Sequence, residues 1–272
     1  MLELPEVETA RRDLDKDIGG RKIKSAEVLG PKRIAGGAAS KKAFETLLEG
    51  RKIAAVSRRG LNLIFDIGDE ELMIVGLGSG GRIRRATAKV DVAKETQLVL
   101  NFTQGGQLRL LDDGDEMNVT VVGSDALENA FPDFATLGFD PIDEPMSWTA
   151  FGQRLIRQNA KLKHLLMDDS FVIGLRSVYS DEILHSALLR WDRKPSALIT
   201  QEIRRLYRAI VETMHNAVKH RGITEDVFGE QGSYNEYLEV YGRGGERSRH
   251  GRGQVLISKI GGLPHYYCDY QV

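Results

Sequence analysis

The chain has 272 residues, 38 Lys and Arg against 39 Asp and Glu, and a net charge of -1. That length suits two packed halves, each with its own core, and the near-neutral charge excludes the broad positive excess of a protein that lives on nucleic acid. A single cysteine, Cys268, excludes an internal disulfide, and no apolar run is long enough to span a bilayer, so a soluble cytoplasmic chain is expected. The charge is uneven: from Ser147 onward 18 basic side chains face 14 acidic ones, while the residues before it carry 20 against 25. A polyanion is therefore expected to prefer the C-terminal half.

In chain order, Pro5 followed by Val7, Ala10 and Leu14, with Gly19 and Gly20 behind, predicts an amphipathic helix with proline in its first turn. Short apolar runs then follow at Lys52 to Val56, Leu61 to Ile67, Leu72 to Leu77, Thr96 to Phe102, Gln107 to Leu111 and Asn118 to Val122. They predict a strand-rich sandwich or barrel, interrupted by one helix from Ser40, its cap, to Leu48. Pro132, Pro141 and Pro145 mark a connection, and helical spacing resumes at Trp148 to Arg157. Thr200 to Arg221 carries one continuous apolar stripe (Ile203, Leu206, Ile210, Met214, Ala217 and Val218 among its members), which reads as ordinary core. Val255-Leu256-Ile257 and His265-Tyr266-Tyr267, separated by Gly261-Gly262, predict a hairpin.

Three stretches carry a resemblance. Leu2-Glu3-Leu4-Pro5-Glu6-Val7-Glu8-Thr9 opens the chain; Lys161 to Asp168, Val172-Ile173-Gly174 and Tyr179 to Leu184 read as a helix-two-turn-helix; Val240-Tyr241-Gly242-Arg243 precedes the tail. Together, and in this order, they resemble the formamidopyrimidine-DNA glycosylase and endonuclease VIII family over essentially the whole chain. The resemblance implies an α+β fold: an N-terminal β-sandwich with flanking helices over 1–145, a helical helix-two-turn-helix domain over 146–239, and a β-hairpin finger over 240–272.

It also implies a chemistry that this chain departs from. The family uses an N-terminal proline amine as nucleophile, and Leu2 stands in its place. Glu3 and Glu6 match the family's carboxylates, and either transfer protons or satisfy backbone donors at the start of the first helix. Leu2 predicts that Met1 is retained, which sets the free amine one residue out of register; it titrates near about 7.7, but displacement by about 1 Å from attack geometry is costly. Leu61 replaces a phosphate-directed lysine, Gly76 a histidine, and Ser79 a void-filling methionine. Asp112-Asp113-Gly114-Asp115-Glu116-Met117 replaces a loop whose arginine and phenylalanine attend the orphaned base, with acids that repel phosphate.

Gly174-Leu175-Arg176-Ser177 stands where a phosphate-gripping asparagine is expected, leaving Arg176 to offer a charge. Ser248 and Gly251 replace the first pair of a four-cysteine zinc site, Cys268 alone remains of the second, and His250, His265 and Asp269 fit no zinc spacing. The hairpin is thus expected to be zincless, with no metal or other cofactor, and Leu263 takes the place of its phosphate-binding arginine. Arg243, Arg247, Arg249 and Arg252 leave a basic cluster, read either as nucleic-acid contact or as a charged turn.

The implied function is a base-excision-repair type protein that binds damaged double-stranded DNA, weakened relative to the family, through Lys161, Arg176, Ser177 and Arg243, with the amine-dependent glycosylase and strand-cleaving reaction lost or altered. The alternative is a repurposed interaction module, or an enzyme on a small nucleoside-like molecule, using the cleft between domains. No pattern argues for more than a monomer.

Overall fold

The computed structural model describes residues 2–30, 32, 34–35, 38, 40–114, 116–143, 146–249 and 253–272. Met1, Asp115, Pro145, His250, Gly251 and Arg252, which entered the sequence reading, lie outside the described residues. The chain divides into two compact units. The first takes Leu2, Glu6–Ala135 and Ile223–Gly232; the second takes Glu3–Pro5, Thr136–Gly222 and Ser233–Val272.

The first unit contains most of α1 (Leu4–Ile18), then β1 (Ile23–Val28), β2 (Ile34–Ala35), α2 (Lys41–Leu48), β3 (Ala55–Arg59), β4 (Asn62–Asp66), β5 (Glu71–Gly76), β6 (Gly81–Ala86), β7 (Thr96–Phe102), β8 (Gln107–Asp112), β9 (Asn118–Gly123) and the single turn α3 (Leu127–Ala130). Two sheets form its β-sandwich, in orders β1-β7-β8-β6 and β2-β9-β5-β4-β3. Leu63, Phe65, Met73, Val75, Leu98, Leu100, Leu108, Leu110, Val119 and Val121 supply the core between them. The Ser40 cap is present, its Oγ accepting the Ala43 N–H at 3.2 Å. The sequence reading passed over β1 and β6. In β6, Arg82, Arg84 and Arg85 interrupt the apolar signal, and the strand holds because Gly81 and Ile83 face inward while β8 pairs along its length.

One buried ion pair ties α1 to β3. Glu8 is fully buried and accepts from Arg11 at 2.8 Å, Arg12 at 2.6 Å and Arg58 at 2.9 Å, and the Arg58 side chain is only 1% exposed. Burial alone would raise the Glu8 carboxyl, but the three guanidinium groups outweigh it and hold the group below the usual carboxylate range.

The second unit contains α4 (Trp148–Leu155), α5 (Leu162–Leu166), α6 (Ser177–Ser186), α7 (Thr200–Lys219) and the hairpin β10 (Val255–Ile260) with β11 (Leu263–Cys268). The apolar stripe of α7 is core as expected, with Leu206, Ile210, Met214 and Ala217 fully buried or nearly so. Phe139, Phe151, Phe171 and Tyr207 pack into one aromatic cluster with ring centroids 5.7–6.1 Å apart. Gly174 adopts φ +70 in the turn before α6, a conformation that favours glycine, and its carbonyl accepts the Leu4 N–H at 2.8 Å.

Replacing Glu8 by Ala leaves the Arg58 guanidinium buried without its acid, and is expected to cost about 3–5 kcal/mol in urea unfolding. Because the folded pKa is depressed, this stabilisation is complete above the ordinary glutamate value of about 4.3 and is lost as pH falls through the lower folded value. Glu8→Gln should therefore flatten the acid limb of the stability profile, and an unchanged limb would refute the assignment.

Candidate functional site

The two retained carboxylates are structurally committed, each in a different unit. Helix α6 begins with amides that have no partner inside the helix, and the Glu3 carboxylate supplies one: Oε2 accepts from Arg176 N–H at 2.6 Å and Tyr179 N–H at 3.4 Å, and Oε1 from Val178 N–H at 3.0 Å. Glu3 is 1% exposed, and its charge meets the positive end of the helix dipole. It therefore satisfies backbone donors at α6, where the sequence placed that role on the first helix. In the first unit, Glu6 Oε1 accepts the Ile223 N–H at 3.0 Å. Leu2 is half-buried and packs against the apolar core of that unit.

The DNA-binding candidates of the second unit are all present and mostly engaged. Arg176 makes a two-pronged pair with Asp169, at 2.9 and 2.7 Å, and that carboxylate first, with the Glu3 charge adding to it, raises its pKa further. Lys161 Nζ stands 5.1 Å over the Trp191 ring. Arg243 donates to Glu246 at 2.9 Å and reaches the carbonyls of Leu238 and Glu239. Ser177 starts α6 and borders a cavity of about 360 Å³, whose wall also includes Lys163, Met167, Leu263, Pro264 and His265.

Behind that cavity lies a buried cluster that sequence reasoning missed. Lys163 Nζ donates to Asp181 Oδ1 at 2.5 Å and to the Ser177 carbonyl at 3.1 Å. Asp181 Oδ2 accepts the Tyr266 N–H at 3.1 Å, and His265 Nδ1 abuts Asp181 Oδ1. Burial pushes the Lys163 ammonium down, and the charges of Asp181 and Glu3 oppose that only in part. The next residue, Glu182, accepts three amides, from Glu239 at 2.8 Å, Val240 at 3.0 Å and Tyr241 at 2.8 Å, while burial pushes its carboxyl up. The one signal available in the sequence was an Asp-Glu pair running directly into the apolar Ile183-Leu184 of α6.

In the first unit, the loops that the resemblance marks as base-attending are tied to each other. Glu116 Oε2 accepts the Ser79 N–H at 2.7 Å, and bonds from the Ser79 hydroxyl and amide pull its carboxyl down. Asp112 folds the acidic turn by accepting from Gly114 at 3.0 Å and Met117 at 2.8 Å. A Cβ at Gly76 would lie 2.8 Å from the Asn118 side chain and 2.9 Å from that of Asn62, so a larger residue there requires both amide side chains to shift.

The zinc positions do not fit a zinc ion. Ser248 is buried, Cys268 is a buried free thiol pushed up by burial, and the fourth position of the pattern is Gln271. Gln271 Oε1 accepts the Cys268 N–H at 2.6 Å and its Nε2 donates to the Leu189 carbonyl at 2.7 Å. The Tyr270 hydroxyl is bonded to His185 Nε2 at 2.7 Å and is pushed up to about 12 by burial and by its bond with Cys268, which Ser248 opposes. Among the described residues no group of three or more His, Cys, Asp or Glu side chains is placed to hold a metal. Nor, among them, is any helix long and apolar enough to cross a membrane. At the hairpin tip, Leu263 is 52% exposed.

Residues 1–114 match the model of the formamidopyrimidine-DNA glycosylase N-terminal domain, and residues 137–228 match that of the formamidopyrimidine-DNA glycosylase H2TH domain. The chain is 34% identical to the formamidopyrimidine-DNA glycosylase of Pelotomaculum thermopropionicum, covering 98% of each, and 32% identical to that of Lactococcus lactis subsp. lactis, covering 99% of this chain and 98% of the relative. Among solved structures it is similar to Lactococcus lactis Fpg in complex with DNA containing an abasic site, with a TM-score of 0.89 and 31% identity over 98% of this chain and 97% of that one.

Removing the Glu3 carboxylate strands three amides at the start of α6. Glu3→Ala is expected to lower unfolding free energy by about 1–3 kcal/mol; unchanged stability would show that the carboxylate is free for other work.

Proposed function

The chain belongs to the formamidopyrimidine-DNA glycosylase family, and from that membership we propose that it is a base-excision-repair type protein that binds damaged double-stranded DNA, with the reaction at its residue 2 lost or altered. The observation that carries the reading is full-length similarity, at 31% identity, to a relative whose solved complex holds abasic-site DNA. The altered chemistry rests on Leu2, which replaces the proline whose secondary amine is the family's nucleophile, has only an amide nitrogen when Met1 is retained, and packs against the core of its unit.

Arg176, Arg243, Lys161 and Ser177 are the groups that meet the phosphates. The cations are paired internally, yet their partners are half-exposed, Asp169 at 40% and Glu246 at 57%. Pairs of this kind are worth about 0–1 kcal/mol, and a cation over an exposed ring about 0.5–1 kcal/mol, so a phosphate can displace either partner at small cost. That exchange also explains why affinity should fall below that of a protein whose cations are unpaired: each contact begins with a broken one.

The test is a titration against short duplexes, undamaged and carrying a stable abasic-site analogue, at low and at physiological salt. Preference for the analogue, with log affinity falling linearly in log salt, is the expected result. Replacing both Arg176 and Arg243 by Ala should reduce that slope by about 2. Absence of binding to either duplex at low salt would overturn the reading.

A further inference from the structure

The DNA reading uses Ser177 at the edge of the 360 Å³ cavity but gives the cavity itself no occupant, although its volume lies within the about 300–1,000 Å³ of small-molecule sites. Its mouth is exposed, at His164, Asp168, Leu263 and Pro264, and its floor is buried, with the Lys163 side chain 5% exposed and His265 1%. The two buried bases share one buried acid. A lysine ammonium has three N–H donors; that of Lys163 gives one to Asp181 Oδ1 at 2.5 Å and one to the Ser177 carbonyl at 3.1 Å, which leaves the third. His265 Nδ1 abuts the same Asp181 oxygen, and neither ring nitrogen has a hydrogen-bond partner among the described residues. The ring is nevertheless fixed, edge-on to Trp191 and stacked on Tyr267. Asp181 and Glu3 offset the burial of the Lys163 charge only in part, so the floor favours a further anion. Neither nearby acid is free to supply it: Glu3 is committed to the amides of α6, and Asp168 on the cavity wall accepts from Ser170.

We propose that this cavity is a binding site for a small monocarboxylate with an apolar body, its carboxylate held by Lys163 and His265. Two donors meet two oxygens: the third N–H of Lys163 takes one and a ring N–H of His265 the other, and the ligand supplies the second acid that the two bases lack. The body lies against Met167, Leu263 and Pro264, where a wholly polar ligand would lose its water and gain no partner. Inorganic phosphate fits less well, because its remaining oxygens would meet those same apolar side chains. The wall draws on α5, the start of α6 and both strands of the hairpin, so an occupant fastens the hairpin to the helices. The inference needs no DNA and stands apart from the DNA reading. A cluster that only docks the hairpin would make the same static contacts and bind no carboxylate.

The experiment titrates the full chain with 1-naphthoate and follows the histidine ring nitrogens by NMR. The His265 signals are expected to shift saturably, with a dissociation constant of about 1 mM or tighter, while those of His215 on α7 stay in place. 1-Naphthamide keeps the body and drops the charge, and should bind at least about 10-fold more weakly. Inorganic phosphate should neither shift the His265 signals nor displace naphthoate. Leu263 is 52% exposed, so Leu263→Trp fills the mouth and leaves the buried cluster intact; it should abolish the naphthoate shift with the circular dichroism spectrum retained. The titration of the unaltered chain keeps the answer independent of how well that variant folds. Naphthoate that leaves the His265 signals unmoved, naphthamide that binds equally well, or phosphate that displaces naphthoate overturns the inference.

Discussion

Helix α6 depends on three buried carboxylates, and most of the second unit depends on α6. Glu3 satisfies the amides that open the helix, Asp181 joins it to Lys163 on α5 and to the backbone of β11, and Glu182 gathers the amides of Glu239, Val240 and Tyr241. Each acid accepts backbone N–H groups, the arrangement under which a buried charge is tolerated. Between them they fix the turn before α6, the helix itself, the Val240-Tyr241-Gly242-Arg243 segment and one strand of the hairpin. Removing any one leaves backbone amides without that partner in buried or part-buried surroundings. The unit is therefore held by charge and amide pairing beside the apolar contacts of Val240, Val255 and Cys268.

The same economy governs the basic side chains. The chain carries 38 basic side chains against 39 acidic ones, and several of its arginines have an acid as neighbour. Arg58 is spent on Glu8, Arg176 on Asp169 and Arg243 on Glu246, and Arg82, Arg84 and Arg85 on β6 pair with Asp113, Glu225 and Asp17. The pairs differ in what they permit. Glu8–Arg58 is sealed and acts on stability, whereas Arg176 and Arg243 sit beside half-exposed acids and can change partner when a stronger anion arrives.

The fold was largely legible because its signals are local. The sandwich announced itself through short apolar runs closed by turn residues, α2 through its Ser40 cap, and α7 through an unbroken stripe. Strands β1 and β6 were missed because polar and charged residues interrupt them, Lys24, Ser25 and Glu27 in β1 and three arginines in β6, and their place is set by pairing with β7 and β8. Site residues were legible only where a motif named them. Lys163 and Asp181 are eighteen positions apart and His265 lies far beyond both, so no periodicity links them; only the packing of α5, α6 and β11 does. Arg176 was expected as an offered charge, and Asp169, seven residues earlier, was not recognised as its partner. Glu3 was expected either to transfer protons or to satisfy backbone donors of the first helix, and a sequence does not reveal that the donors it meets belong to a helix more than 170 residues away.

The hairpin shows how the loss of a metal pattern and the survival of a fold can coexist. A structural zinc contributes through four short bonds that converge on one point. Here several weaker bonds converge on two: the Tyr270 hydroxyl, bonded to His185, Cys268 and Ser248, and the Gln271 amide, which joins the Cys268 backbone to the Leu189 carbonyl. The backbone adds two more ties, from Arg190 N–H to the Val272 carbonyl at 2.7 Å and from Val272 N–H to the Leu188 carbonyl at 3.2 Å. Each is worth about 0.5–1.5 kcal/mol net, far less than a zinc ion supplies, but they need only hold a strand that Asp181 has already registered through Tyr266. A hairpin anchored by side-chain hydrogen bonds is freed from thiolate chemistry, and Cys268 is left as a small buried apolar group with its pKa raised, beside Val240 and Val255.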